Sequence, residues 1–259
     1  MKTLKSSLFA IAVLFVTISV QSQTADEIIN KYIDVIGGRE AISKIKSLHI
    51  ESETWTDGNT VTSDSSSTVT LGGLSTDIMN LIVGKGWKNE NNFMGTKNFQ
   101  CVTDSGGWNA VSIPGVSKIQ IMTMPKDVYE YKKINLQFGG LLINYAANGY
   151  KVELVGKETL DSCSVYNLKL TDTANRGMNF YIDANTYYLL KTVTDINQGK
   201  ITATFSDYQK TDIGLIAFHI TTLMPPATKI FTTLNKVVIN PEIDPKIFDK
   251  PEDTASFGH

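Results

Sequence analysis

Short runs that alternate apolar and polar residues recur along most of this chain, separated by turns rich in Gly, Asp, Asn and Ser. Such alternation places one face of a strand against a core and the other towards solvent. The clearest runs are 48–55, 152–156, 164–171, 178–182, 188–194, 201–208 and 216–223. Because helical patterns do not alternate with them, they predict an antiparallel rather than a parallel sheet.

Turn residues predict where the strands end. We expect a hairpin turn at 57–59, where Asp-Gly-Asn occurs, a strand over 60–71, and a further turn at 72–73, where two glycines follow each other. Another hairpin turn is expected at 104–107. Ten or eleven strands with two helical pieces predict a mainly β fold, in which one curled antiparallel sheet surrounds a core.

The predicted helices are few and short. Thr24 and Glu27 have the spacing of a capping box, and an apolar stripe at helical spacing follows them until Gly37. A second short helix is expected over 126–133, directly after a proline. The apolar stretch 138–143 contains two adjacent glycines and is suited to cover the open face of a sheet.

Residues 1–22 have the pattern of a secretory signal peptide. Two lysines precede an apolar run of about 13 residues, and Val20 and Ser22 occupy the positions that signal peptidase recognises. The run is shorter than the roughly 20 residues that span a bilayer. We therefore expect a mature chain of residues 23–259 that forms a single domain, has no transmembrane segment and resides in the periplasm.

The charge of the chain argues against one class of partner. It has 24 Lys and Arg against 26 Asp and Glu, a formal net charge of −2 and an isoelectric point near 5.9. The basic residues are scattered along the sequence. No surface for a phosphate backbone is expected, so we predict no nucleic-acid partner.

Motifs for catalysis and metal binding do not occur in the sequence. There is no HxH, HExxH, CxxC or paired DxD pattern, no GxSxG turn and no phosphate-binding loop. Glu51 and Glu53 share a strand face with His49, a spacing that suits a glycosidase pair but that a solvated face also has. We predict no catalytic residue, no metal and no cofactor, and hence no enzyme.

The two cysteines leave one question open. Cys101 and Cys163 lie 62 positions apart in strand-like segments. Export would place them in an oxidising compartment, where an even number of cysteines can form a disulfide. Buried free thiols behave as small apolar side chains, so the spacing does not decide between a bridge and two free thiols.

A surplus of apolar residues is the strongest functional signal. An isoleucine stripe marks the first helix, Met and Leu cluster between 122 and 142, and phenylalanines recur on the strands. Ordinary core packing explains such residues, but flexible Met side chains and a glycine-hinged cover also suit an apolar pocket. The candidate lining residues of this cavity are Ile29, Ile33, Met122, Met124, Leu136, Phe138, Leu141, Leu142, Phe180, Phe205 and Phe218.

Four parts of the chain together resemble the LolA-like family of outer-membrane lipoprotein-sorting proteins. They are the opening helix 25–32 with its Gly-Gly stop, the hairpin 103–108, the central strands between 152 and 191, and the closing strands with the tail 239–251. The hairpin reads Thr-Asp-Ser-Gly-Gly-Trp, which is similar to the family's YDG-x-x-GW pattern. The resemblance covers most of the predicted mature chain.

This resemblance implies a half-open β-barrel with a helical lid, as in LolA and LolB. Its cavity would hold acyl chains of a lipoprotein or lipid during transfer towards the outer membrane, with envelope transport proteins as partners. In the family an arginine on a barrel strand holds the lid closed, whereas here Arg39 lies in the helical opening and Arg176 in a turn. Two alternatives stay open: an amphiphile-binding or envelope-sensor module that does not shuttle, and a periplasmic hydrolase with a dispersed site.

Overall fold

The computed structural model describes residues 23–63, 67–197 and 199–252. The expected signal peptide, residues 1–22, lies outside the described residues. The described strands are β1 (Ser47–Ser63), β2 (Ser67–Ile82), β3 (Gly86–Phe93), β4 (Thr96–Thr103), β5 (Gly107–Ser112), β6 (Gln120–Thr123), β7 (Lys151–Leu160), β8 (Cys163–Thr171), β9 (Gly177–Asp183), β10 (Leu189–Ile196), β11 (Gly199–Thr211), β12 (Gly214–Met224) and β13 (Thr228–Ile239). The described helices are α1 (Ala25–Val35), α2 (Gly38–Ser43) and α3 (Lys126–Lys132), with 3-10 turns at Lys133–Leu136 and Pro245–Phe248.

All the described strands belong to one antiparallel sheet. Its order is β6-β5-β4-β3-β2-β1-β13-β12-β11-β10-β9-β8-β7. We call β1–β6 the first wing and β7–β13 the second wing. The wings join where β1 pairs with β13, from Leu48 opposite Ile239 to Thr56 opposite Ile230. The end strands β6 and β7 do not pair with each other in the described part, so the sheet is curled but not closed, which confirms the predicted half-open, mainly β fold.

The hairpin turn expected at 57–59 is wrong. β1 continues through these residues, and β2 continues through the glycines at 72–73. Thr56 pairs with Gly73 and Asn59 pairs with Leu71, so the pattern marks an irregularity within a long pair of strands. A β-carbon on Gly72 would lie 2.6 Å from the Cα of Gly58. The two glycines therefore allow the backbones to approach, and neither reverses the chain.

The described strands also outnumber the ten or eleven that the sequence predicts. β3 is polar on both faces, with Asn89, Glu90 and Asn91 in succession, so it lacks the alternation by which a strand is recognised. β6 lies in the stretch expected to be irregular, and it pairs with β5 for only a few residues. Short or uniformly polar strands depend on their neighbours more than on their own pattern.

The opening helix forms as the capping pattern predicts. The Thr24 hydroxyl accepts a hydrogen bond from the backbone of Glu27 at 3.2 Å, and the Glu27 carboxylate accepts one from the backbone of Thr24 at 3.0 Å. The buried face of α1 packs against the second wing. Its cluster is Ile28, Ile29, Ile33, Ile42, Leu142, Ile143, Leu168, Leu170, Phe180, Ile182 and Leu189. The helix expected after Pro125 is also confirmed, as α3.

A second core lies on the opposite face of the first wing, under the C-terminal segment. Phe248 packs there with Phe99, Cys101 and Trp108. The indole nitrogen of Trp108 donates a hydrogen bond to the backbone oxygen of Phe248 at 3.0 Å. A β-carbon on Gly86 would lie 2.5 Å from the Phe248 ring, so this packing requires glycine at position 86. The C-terminal segment is thus fixed to the outside of the sheet.

The cysteines are both free, and they differ in exposure. Cys101 has no exposed surface, and its thiol donates a hydrogen bond to the backbone oxygen of Phe248 at 3.4 Å. Burial raises the pKa of the Cys101 thiol to about 12. Cys163 is exposed at the start of β8. A disulfide between them, which the sequence left open, is not present in this structure.

The packing under the C-terminal segment predicts that Gly86→Ala destabilises the protein. The added methyl group overlaps the Phe248 ring, so we expect the free energy of unfolding to fall by about 1–3 kcal/mol. Gly106→Ala is the matched control, because no described atom beyond its two chain neighbours lies within 4 Å of the added methyl group there. We expect it to change stability by less than about 0.5 kcal/mol. Urea unfolding followed by tryptophan fluorescence measures both, and equal effects would contradict the packing described.

The exposure of the thiols predicts their reactivity. In folded protein a thiol reagent should titrate one thiol, Cys163, because only the accessible thiolate reacts at about pH 8. In denaturant it should titrate both thiols without prior reduction. Two reactive thiols in the folded protein would contradict the burial of Cys101, and none in denaturant would show that the two form a disulfide.

Candidate ligand-binding site

A cavity of about 770 Å³ lies on the concave side of the sheet. The first wing contributes one row of side chains to it, Leu48, Leu81 and Trp87. These residues are successive partners across β1, β2 and β3, so they lie side by side on one face. Met79 extends this apolar wall along β2.

The second wing supplies another wall of the cavity. Leu170 pairs with Met178, Met178 pairs with Thr194, and Thr194 pairs with Ile201, and all four side chains line the cavity. This row runs across β8, β9, β10 and β11. Since both rows are apolar apart from one threonine, the walls suit an apolar ligand.

The cavity is covered by residues 131–141, which we call the cover. It contains the end of α3, a 3-10 turn and the adjacent glycines Gly139 and Gly140. Both glycines have positive φ, +94° and +78°, and a β-carbon on Gly139 would overlap Ile143. The glycines therefore let the chain turn sharply, which places Phe138 and Leu141 over the cavity.

Two arginines hold the cover to the rest of the molecule. Arg39 in α2 donates a hydrogen bond at 3.1 Å to the backbone oxygen of Ile143, just beyond the cover, and another at 3.0 Å to the Asn30 side chain. The Arg176 guanidinium lies 4.4 Å from the centre of the Tyr131 ring, at the other end of the cover. Neither arginine is on a strand, so both contacts differ from the strand arginine that the family resemblance implies.

The mouth of the cavity carries an ion pair between Asp172 and Arg176, whose Oδ2 and Nε lie 2.6 Å apart. Burial alone would raise the pKa of Asp172. The backbone and guanidinium of Arg176, with the backbone of Ala174, lower that pKa below its usual value. Both charges are thus matched locally, and the apolar interior holds neither of them.

The predicted lining residues divide into three groups. Phe138 and Leu141 line the cavity. Several others lie close by in closed packing, where α1 or the first wing covers them. These are Ile29, Ile33, Leu142 and Phe180 in the main core, with Phe205 packed against it, and Met124 and Leu136, which pack with Val102.

The remaining two predicted residues lie elsewhere. Met122 is on the end strand β6 with 56 % of its surface exposed. Phe218 is half-buried on β12 and does not line the cavity. The isoleucine stripe of α1 also lies apart from the cavity, because α1 packs in the core beside it and none of its residues line it.

Sequence reasoning missed the strand residues that form the walls. Leu81 is followed by Ile82, so it shows no alternation with polar neighbours. Alternation with Ser47 and His49 does place Leu48 on a buried face. It does not say that this face lines an open space, because that depends on which strands oppose it across the half-barrel. Leu170, Met178 and Ile201 were missed for the same reason.

His49, which shares a strand face with Glu51, lies outside the cavity, and so does His219. His49 contacts Glu51 at 3.1 Å and Asn80 at 2.8 Å, and the Glu51 carboxylate accepts a hydrogen bond from Lys236. His219 contacts Asp207 at 3.2 Å on an exposed surface. Among the described residues, no group of three or more His, Cys, Asp or Glu is placed to hold a metal ion. Within the same residues no helix is both long and apolar enough to cross a membrane.

Solved structures share this architecture. A LolA superfamily protein from Nitrosomonas europaea matches with a TM-score of 0.57 at 13% identity, over 88% of this chain and 99% of that one. A putative outer membrane lipoprotein-sorting protein domain from Vibrio parahaemolyticus matches with a TM-score of 0.56 at 14% identity, over 86% and 95% of the two chains. The chain has the LolA-like fold.

A protein of the DUF1329 family from Desulfovibrio piger has this LolA-like fold too, with a TM-score of 0.57 at 11% identity, over 88% and 98% of the two chains. No protein-family profile matches the sequence, and no curated protein matches it. The resemblance drawn from the residues is therefore confirmed at the level of the fold. Identities this low leave function to be argued from the site itself.

Proposed function

We propose that this protein is a periplasmic carrier that binds acyl chains of lipoproteins or lipids and moves them towards the outer membrane. The observation that carries the proposal is the cavity of about 770 Å³ between two apolar walls. Its size falls in the range of sites that enclose small ligands, about 300–1,000 Å³. Its lining is apolar inside and polar at the mouth, which suits a ligand with an apolar chain and a polar end.

The energetics of such a site favour reversible binding. Each buried methylene contributes about 0.8 kcal/mol, so a chain with a dozen buried methylenes gains roughly 10 kcal/mol before the costs of association. This attraction is non-directional and needs no metal, cofactor or covalent step. The bound acyl chain can therefore leave the cavity again when a second apolar site competes for it.

The rest of the sequence supports a proposal for where the carrier acts. We propose that residues 1–22 are removed on export and that residues 23–259 act as one domain in the periplasm. Envelope transport proteins would deliver and receive the ligand. One fold neighbour, the domain from Vibrio parahaemolyticus, is described as a lipoprotein-sorting protein, and it supports this proposal by analogy only.

One observation favours an alternative in which the protein retains its ligand as a sensor. Arg39 and Arg176 hold the cover at both ends, through the Ile143 backbone and the Tyr131 ring. A cover fixed in this way would slow release, which suits detection better than transfer. A hydrolase has less support, because the ion pair of Asp172 with Arg176 engages two of the titratable groups at the cavity.

A charge placed in the cavity should weaken ligand binding without unfolding the protein. We expect Met178→Glu to weaken binding of a fluorescent fatty acid at least about tenfold, because the new carboxylate must lose its water when a chain enters. The matched control is Met94→Glu, since Met94 is 84 % exposed in a turn and should tolerate the charge. Fluorescence titration measures binding, and urea unfolding measures stability.

Leu142→Glu separates cavity from core in the same experiment. Leu142 is 2 % exposed within closed packing, so a buried charge there should mainly lower the free energy of unfolding, by several kcal/mol. The carrier proposal fails if the wild-type protein takes up no amphiphile, or if Met178→Glu binds as tightly as the wild type.

A further inference from the structure

A second, polar pocket of about 290 Å³ lies on the first wing. Five of the residues that line it carry side-chain amides, and they come from three neighbouring strands. They are Asn89 and Asn91 on β3, Asn98 and Gln100 on β4, and Asn109 on β5. Such a concentration of uncharged groups, each able to donate and to accept hydrogen bonds, contrasts with the two apolar walls of the cavity.

The polar pocket adjoins the apolar cavity on the same face of the sheet. Trp87 lines the cavity, and Asn89 and Asn91 follow it at two-residue steps along β3, so their side chains share its face. Met79, which lines the cavity, is the direct partner of Asn89 on the neighbouring strand. A ligand chain in the cavity would therefore have its polar end within reach of the amides.

Four of the five amides are organised by hydrogen bonds to one another or to Asp77. Gln100 donates to the Asn109 side chain at 3.1 Å. Asn91 and Asn89 both donate to one carboxylate oxygen of Asp77, at 3.0 and 3.4 Å. These contacts hold the amide planes in fixed orientations, which reduces the ordering cost of binding a polar group.

The charges around the pocket argue against an anionic ligand. Asp77, on β2, lies beside the amides and directly opposite Asn91, and its second carboxylate oxygen is buried and accepts no hydrogen bond from any described residue. The lysines of these strands, Lys88 and Lys97, alternate with the amides and so lie on the other face of the sheet. None of the described residues that line the pocket is cationic, so an anion would meet the neighbouring carboxylate with no cation to match it, whereas an uncharged group meets amides that can satisfy it.

We propose that the amide pocket binds the uncharged head group of the amphiphile whose chain occupies the cavity. This inference rests on the proposed carrier function and names the chemistry of its ligand: a head group rich in hydroxyls or amides, as in a sugar or a peptide. Hydrogen-bonding sites reject ligands that leave their polar groups unpaired, so the pocket selects by head group while the cavity selects by chain.

The test compares amphiphiles that share a decyl chain and differ in head group. Decyl maltoside offers hydroxyls, N-decanoyl-glycyl-glycinamide offers amides, and decanoate and decyltrimethylammonium carry opposite charges. Each competes below its micelle concentration with a fluorescent fatty acid for the full-length mature protein. We expect the double variant Asn98→Ala with Gln100→Ala to weaken binding of an uncharged amphiphile about tenfold, from the loss of two hydrogen bonds, and to leave decanoate unaffected.

Controls keep the result interpretable. Asn235→Ala removes an exposed amide outside the pocket, on β13, and should change no affinity. Asn109→Ala is a second pocket variant in case the double variant folds poorly, and it should show the same selectivity. If a pocket variant loses affinity for decyl maltoside alone, the natural head group carries hydroxyls. If it loses affinity for the glycinamide alone, the natural head group carries amides.

Two results would overturn the inference while leaving the carrier proposal standing. One is a double variant that binds all four amphiphiles as the wild type does. The other is a double variant whose affinity falls equally for charged and uncharged amphiphiles. If the wild-type protein binds none of the four and no fatty acid, the carrier proposal fails, and the head-group inference falls with it.

Discussion

The pairing of β1 with β13 is the interaction on which the rest of the structure depends. Every other pair of neighbouring strands in the described sheet is consecutive in the chain, so each wing is built from local pairings. Only β1 with β13 connects residues nearly two hundred positions apart, and its register brings Leu48 opposite Ile239. Without this pairing the two wings would be separate sheets, and the cavity would lose one of its walls.

The curled sheet has more apolar interior than its helices fill. α1 buries Ile28 and Ile33 against the second wing and closes one part of the interior. The other part stays open because the chain spans it with the glycine-hinged cover instead of a long helix. A close-packed interior would be more stable, since unfilled volume forfeits contacts. The proposed function assigns this open volume between apolar walls to a ligand.

The sequence predicts those features that depend on residues close together along the chain. The capping box of Thr24 gives α1, and alternation gives most strands. The sequence wrongly predicts a turn at Gly58, because a glycine that allows two strands to approach closely has the same local pattern as a turn glycine. Of the cavity residues it finds Phe138 and Leu141, which lie beside glycines, but it misses the strand walls. Whether an inward side chain is packed or lines a space depends on contacts that no local pattern encodes.

Native mass spectrometry of the mature protein, purified from its own cell envelope, tests the central claim most directly. The cavity between the wings predicts a bound species that is released on denaturation and carries at least one acyl chain. The same preparation of Met178→Glu should contain much less of it. Wild-type protein that carries no bound species, and that takes up no amphiphile when one is offered, would contradict the claim that this cavity is a binding site.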